Sequence, residues 1–219
     1  VLFETVDLIG SLSTHRIPRV LAVILGLPDQ DVREALSARG TLCRTGLLNV
    51  DREHASPLQH KIDVLSGGFA ERMITLDADP ADLLRDKVFP SQPATLGWED
   101  FPHVSQLAGI ARAHLAMALE SRRHGTNILL HGAPGVGKTE LARVLSAEIG
   151  VELFEISSED DDGDPIDGDR RLRSYRAAQW FFAKRKLMFL FDEAEDVFSG
   201  DEGFFATRSS AQRRKAWMN

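Results

Sequence analysis

The chain has 219 residues, 43% of them hydrophobic and 27% charged, which allows one large domain or two small ones and excludes a disordered chain, a collagen or a long coiled coil. Its formal charge of −7 is local, because residues 159–169 hold seven carboxylates (Glu159, Asp160, Asp161, Asp162, Asp164, Asp167 and Asp169) and no lysine or arginine. The rest balances 26 acids against 26 bases, which argues against a general nucleic-acid-binding field.

The chain opens on Val1 rather than Met, which reads as a piece of something longer. The start, Val1-Leu2-Phe3-Glu4, has neither the basic region nor the apolar stretch of a signal peptide. The longest apolar run, residues 20–27, is eight residues long, against the ~18 needed to span a bilayer. A soluble, cytoplasmic protein with no membrane partner is expected. Cys43 is the single cysteine, so an internal disulfide and a Cys-based zinc site are excluded and a reducing compartment fits.

Residues 17–25 and 29–38 read as two short helices, with Pro28 suited to a helix start and Gly40 to a stop. Residues 41–50 and 61–65 read as short strands. This order suits either a winged-helix module or a generic small helical domain. Residues 1–88 are expected to form an accessory domain that recognises a protein partner, since residues 1–52 contain no lysine and offer no basic footprint for DNA. Pro90, Pro93, Gly97 and Pro102 crowd a stretch of weak periodicity, which marks residues 89–101 as a linker.

From residue 102 onward the pattern sharpens. Leu107, Ile110, Ala111, Leu115, Ala118 and Leu119 recur at helical spacing and predict one buried helix face. Residues 127–131 (NILLH) predict a short buried strand. Leu141, Val144, Leu145 and Ile149 predict a second amphipathic helix stopped by Gly150, and residues 151–156 a second strand. Leu172, Tyr175, Ala178 and Phe182 predict a further helix, residues 187–191 (LMFLF) an apolar strand, and residues 210–218 a last helix. Strands alternating with helices imply a parallel sheet covered on both faces.

Between the first of these strands and its helix lies Gly132-Ala133-Pro134-Gly135-Val136-Gly137-Lys138-Thr139, a full G-x-x-x-x-G-K-[ST] match. Its glycines let backbone N–H groups approach phosphate oxygens, and the following helix turns its positive end toward the same charge. Lys138 can reach the β- and γ-phosphates, and the Thr139 hydroxyl can ligate Mg²⁺. The LMFLF strand runs into Asp192-Glu193, which sets two acids at the carboxyl edge of the sheet, where the phosphate loop also sits. Asp192 suits Mg²⁺, held through water, and Glu193 suits the general base that polarises an attacking water.

GAPGVGKTELAR together with LMFLFDEAEDVF resembles the ATPase core of the AAA+ family, over about residues 102–219. The resemblance implies an α/β fold, a three-layer P-loop core with a parallel sheet preceded by a small, mainly helical domain. It also implies ATP and Mg²⁺ as ligands and a homo-oligomeric ring with catalysis at subunit interfaces. Two departures stand out. Residues 157–169 contain no aromatic residue where many family unfoldases carry an aromatic pore loop, so threading by that grip is not implied. The family's sensor 1, arginine finger and helical lid would lie beyond Asn219. These 219 residues alone are therefore expected to bind ATP weakly and to hydrolyse it at least a hundredfold more slowly than a full-length protein.

The acidic loop partly fits a calcium loop read from Ser158, but Ser stands at its first position and Pro165 inside it, so a solvated, mobile loop is the expectation. Trp180, Phe181 and Phe182 beside Lys184, Arg185 and Lys186 are read as helix packing rather than as a nucleic-acid stacking surface. Phe204 and Phe205 suit either an exposed tip or a contact with a neighbour. The functional expectation is Mg²⁺-dependent ATP hydrolysis that remodels a protein partner. Two other readings are a nucleotide-gated scaffold with little turnover and a P-loop small-molecule phosphotransferase. Glu193 argues against the last.

Overall fold

A computed structural model describes residues 11–53, 55–75, 79–123, 125–160 and 163–198. The chain divides into two compact units, Val1–Asp79 and Pro80–Asn219. Residues 204–205 and 210–218, expected as a tip and a helix, lie outside the described residues.

In the first unit, α1 (Ile17–Leu25) carries Pro18 in its first turn and ends on Gly26 at φ 65°, a left-handed cap that glycine adopts without a Cβ penalty. Next come α2 (Asp29–Ala35), shorter than the expected 29–38, and α3 (Thr41–Arg44). Residues 41–44 are thus helical rather than extended, because the Thr45 hydroxyl donates back to the Thr41 carbonyl at 2.8 Å and closes the turn. Strand β1 (Leu48–Val50) follows, then α4 (Leu58–Lys61), β2 (Ile62–Val64) and α5 (Gly67–Thr75). β1 and β2 are antiparallel, with Leu48 opposite Val64 and Val50 opposite Ile62. Leu12, Ile17, Ala22, Val32, Leu36, Val50 and Leu58 form the core.

Lys61 is fully buried beside that core, its Nζ donating to the Asp51 carbonyl at 2.8 Å and to Thr14 Oγ1 at 3.1 Å. The Asp51 carboxylate, 3.7 Å away, balances its charge. Lys61→Met keeps the stem but strips these acceptors of their donor. It is expected to destabilise the unit by about 1–3 kcal/mol, read as a lowered urea midpoint. An unchanged midpoint would show that water replaces the ammonium at no cost.

The second unit begins with α6 (Pro80–Leu83) and β3 (Val88–Pro90). A long helix, α7 (Ser105–Glu120), precedes the phosphate loop, and α8 (Lys138–Ile149) follows it. Then come β4 (Glu152–Ile156), α9 (Gly168–Phe181), β5 (Leu187–Leu190) and α10 (Glu195–Phe198). The sheet order is β3-β4-β5, with β4 and β5 parallel and β3 antiparallel to β4. Alternation sends successive β4 side chains to opposite faces. Glu155 meets Arg143 of α8 at 2.8 Å on one face, and Phe154 packs against Phe182 at 5.0 Å on the other, just past the end of α9. The unit is therefore an α/β fold with helices on both sides of the sheet.

Three expectations change here. The stretch 89–101 does not begin as a linker, since Phe89 and Pro90 belong to β3 and the Ser91 N–H donates to the Leu153 carbonyl at 2.8 Å. A proline is tolerated there because β3 is an edge strand. Residues 127–131 form no strand, and Leu129 is 75% exposed. The described sheet offers this segment no paired neighbour, so apolar character alone does not make it extended ladder. The sheet is accordingly mixed, not wholly parallel.

The buried face of α7 matches the expected one in part, with Ala111, Leu115 and Leu119 half-buried. Ala108 and Ala118 are buried, whereas Leu107 and Ile110 are 70% and 61% exposed. Small side chains allow α7 to approach α8 closely, and Arg112 bridges to Glu148 at 2.9 Å. No helix among the described residues is long and apolar enough to cross a membrane.

Candidate functional site

The phosphate loop turns on glycines. Gly135 and Gly137 sit at φ 79° and 87°, conformations that side-chain-bearing residues rarely adopt. At Gly137 the space is closed as well, since a Cβ would lie 3.3 Å from the Phe101 ring. Gly137 is also the N-cap of α8, so the unpaired N–H groups of that helix start beside the loop.

Lys138 is folded back over the loop, its Nζ donating to the carbonyls of Gly132 and Ala133 at 3.0 Å each. The next side chain, Thr139, donates its hydroxyl proton to Asp192 Oδ2 at 2.6 Å. This bond brings the start of α8 to the carboxyl end of β5, across 53 residues of sequence. The other carboxylate oxygen of Asp192 accepts the Glu193 N–H at 3.0 Å. Glu193 is exposed and holds φ 51°, which costs a non-glycine residue on the order of 1–3 kcal/mol and persists only when its surroundings impose it.

The carbonyls on either side of it are bonded by a residue that sequence patterning does not single out. Arg171, in the first turn of α9, is 1% exposed. Its guanidinium donates to the carbonyls of Asp192 at 2.5 Å, Glu193 at 3.3 Å and Ser157 at 3.2 Å. It also lies 4.4 Å over the Phe191 ring. In the sequence it is one of several arginines in residues 170–176, and no spacing distinguishes it.

Glu140, also unremarked by the motif, ties the segment before α7 to the phosphate-loop helix. One of its oxygens accepts the N–H and hydroxyl of Thr95 at 2.8 and 2.9 Å, and the other accepts Arg143 at 2.7 Å. The Thr95 N–H first, then Arg143, hold its carboxyl at about 2 against an ordinary 4.5. A lowered folded-state value means that the charged form stabilises the fold above about 4.5 and that this contribution fades as pH falls toward 2. Glu140→Gln is therefore expected to lower the melting temperature at pH 7, with the gap to wild type closing only below about pH 4.5. A gap independent of pH would contradict the charge-based tie.

The oxygen-rich pair of Thr139 and Asp192 has the hard-donor chemistry of a Mg²⁺ site, and the loop with Lys138 has the chemistry of a phosphate site. Of the residues expected from sequence, Thr139 and Asp192 are joined by a hydrogen bond, and Lys138 and Glu193 adjoin them in the chain. Gly132 to Gly137 form the exposed loop that Lys138 spans. Glu159 and Pro165 pair in an isolated antiparallel bridge. Among the described residues no three His, Cys, Asp or Glu side chains are grouped to hold a metal ion. The aromatic run packs as expected at Phe182, which is buried and lies 6.0 Å from Phe189, while Trp180 is half exposed.

Residues 128–217 match the family described as "ATPase family associated with various cellular activities (AAA)". Residues 128–217 are an AAA-type P-loop ATPase segment. The chain is also similar to the Holliday junction branch migration complex subunit RuvB of Desulfosudis oleivorans, 28% identical over 92 residues. That match covers 38% of this chain and 26% of the relative, so the chain spans about a quarter of that protein's length. No solved structure matches the chain. The AAA+ assignment supports ATP binding by this unit in general terms.

Proposed function

We propose that the protein is a Mg²⁺-dependent ATPase whose turnover remodels a protein partner, and that it works as a homo-oligomeric ring. The observation that carries the reading is the 2.6 Å bond between Thr139 and Asp192, with Glu193 next in the chain. It joins the phosphate loop to the pair of acids that hydrolysis needs.

In this mechanism the Lys138 ammonium exchanges the Gly132 and Ala133 carbonyls for β- and γ-phosphate oxygens. The loop N–H groups from Gly132 to Thr139 bind the phosphate chain. Thr139 and Asp192 would hold the magnesium ion, which when bound would neutralise charge on the phosphates. Glu193 orients a water and takes its proton as the water attacks the γ-phosphorus and the bond from that phosphorus to the β–γ bridging oxygen breaks, giving ADP and phosphate. The N-terminal unit is the partner-recognition module. The order α1, α2, α3, then β1 and β2 paired antiparallel across the intervening α4, supports a winged-helix reading.

Phosphate release from Mg·ATP by the full-length protein, with and without EDTA, tests the enzyme reading. EDTA-sensitive release is expected, and its absence would leave a nucleotide-gated scaffold. The relative's name places it in a DNA complex, so the partner class is tested alongside. A rate raised by protein ligands trapped on a Glu193→Gln variant supports a protein partner. A salt-sensitive, sub-micromolar complex with duplex or junction DNA would overturn it.

A further inference from the structure

We propose that Arg171 is a positioning residue for Glu193, acting on the backbone of the turn that presents the catalytic carboxylate. The proposal rests on the ATPase reading above and adds a residue to it.

The guanidinium is planar and rigid, so its N–H groups fix the acceptors they meet in both direction and distance. Here they meet the carbonyl of Asp192 at 2.5 Å and that of Glu193 at 3.3 Å, the peptide groups on either side of Glu193. With both carbonyls held, and the Glu193 N–H held by Asp192 Oδ1 at 3.0 Å, the backbone at Glu193 is fixed on every polar atom. This is the residue at φ 51°. Released from these bonds, it would relax toward negative φ, and its side chain would leave the line along which it can reach a water on the γ-phosphate.

The third bond, to the Ser157 carbonyl at 3.2 Å, anchors the same guanidinium to the end of β4. The Phe191 ring, 4.4 Å away, closes its face. Arg171 therefore references the Glu193 turn to the sheet rather than to a loop. These three bonds end on backbone carbonyls, while Asp192 faces Thr139 through its carboxylate, so breaking them should leave that contact and nucleotide binding in place.

Arg171→Lys keeps the charge but offers a single point of donation in place of a fork. In the full-length protein it is expected to lower kcat at least tenfold, with the Kd for Mg·ATP, measured by calorimetry, within about twofold of wild type. Phe191→Leu, a milder change, is expected to lower kcat in the same selective way by a smaller factor. The decisive comparison is a double-mutant cycle. If Arg171 acts through Glu193, Arg171→Lys should cost almost nothing further in a Glu193→Gln background. A merely structural role would weaken binding and turnover together and add its loss to that of Glu193→Gln. An additive cycle, or an unchanged kcat in a wild type that does turn over, overturns the assignment. A wild type that releases no phosphate overturns the ATPase reading and this proposal with it.

Discussion

Glu193→Gln should bind Mg·ATP with an affinity close to wild type while losing its turnover by about 10²–10⁴, the range that a positioned general base contributes. The amide has nearly the volume of the carboxylate, and the backbone bonds that hold this turn come from Arg171 and Asp192, not from the Glu193 side chain. What changes is proton affinity, because an amide oxygen does not take a proton from water near neutral pH. Calorimetry for binding and phosphate release for turnover separate the two effects. A variant that retains most of its rate would remove Glu193 from the chemistry and return the pair of acids to a structural role at the end of β5.

Lys138→Ala should act on the other quantity. The ammonium, satisfied by two carbonyls at 3.0 Å, is the cation nearest the phosphate loop in sequence, and its bonds to phosphate would be charge-assisted. Hydrogen bonds to charged groups contribute about 1.5–3 kcal/mol each, so ATP affinity should fall between roughly tenfold and more than a hundredfold. The fold should tolerate the change, because both of these bonds end on the exposed loop itself. Equal affinity in the variant and in wild type would sink the phosphate-loop assignment.

The parts of this unit that sequence discloses are those set by local chemistry. The Gly-x-x-x-x-Gly-Lys-Thr spacing needs no distant partner to be recognised, and neither does an amphipathic helix such as Lys138–Ile149. Strand β5 announces itself as an apolar run, and β4 as a half-apolar segment directly after the Gly150 helix stop. Non-local pairing is where legibility ends. Residues 127–131 hold three apolar side chains in a row, yet without a paired neighbour among the described residues they form no ladder. Val88–Pro90 does pair, behind a proline that suggested a linker, because only an edge position can absorb the missing N–H.

The site follows the same division. Lys138, Thr139, Asp192 and Glu193 are visible from motif spacing, and the fold supplies the 2.6 Å bond that joins two of them. Arg171 and Glu140 are not visible, since each acts on backbone groups far away in the chain, where residue identity carries no pattern. In α7 the helical period is right and the buried face only partly so, since Ala118 is buried as expected while Ala108 is buried and Leu107 and Ile110 are exposed.

The central claim is that this loop recognises a chain of phosphates, and a calorimetric comparison of Mg·ATP with AMP on the full-length protein tests it most directly. The glycine-rich loop, Lys138 and the Thr139–Asp192 pair all address the β- and γ-phosphates or their metal ion, so the account predicts saturable binding of Mg·ATP and at least a hundredfold weaker binding of AMP. Comparable affinities for the two nucleotides would contradict it.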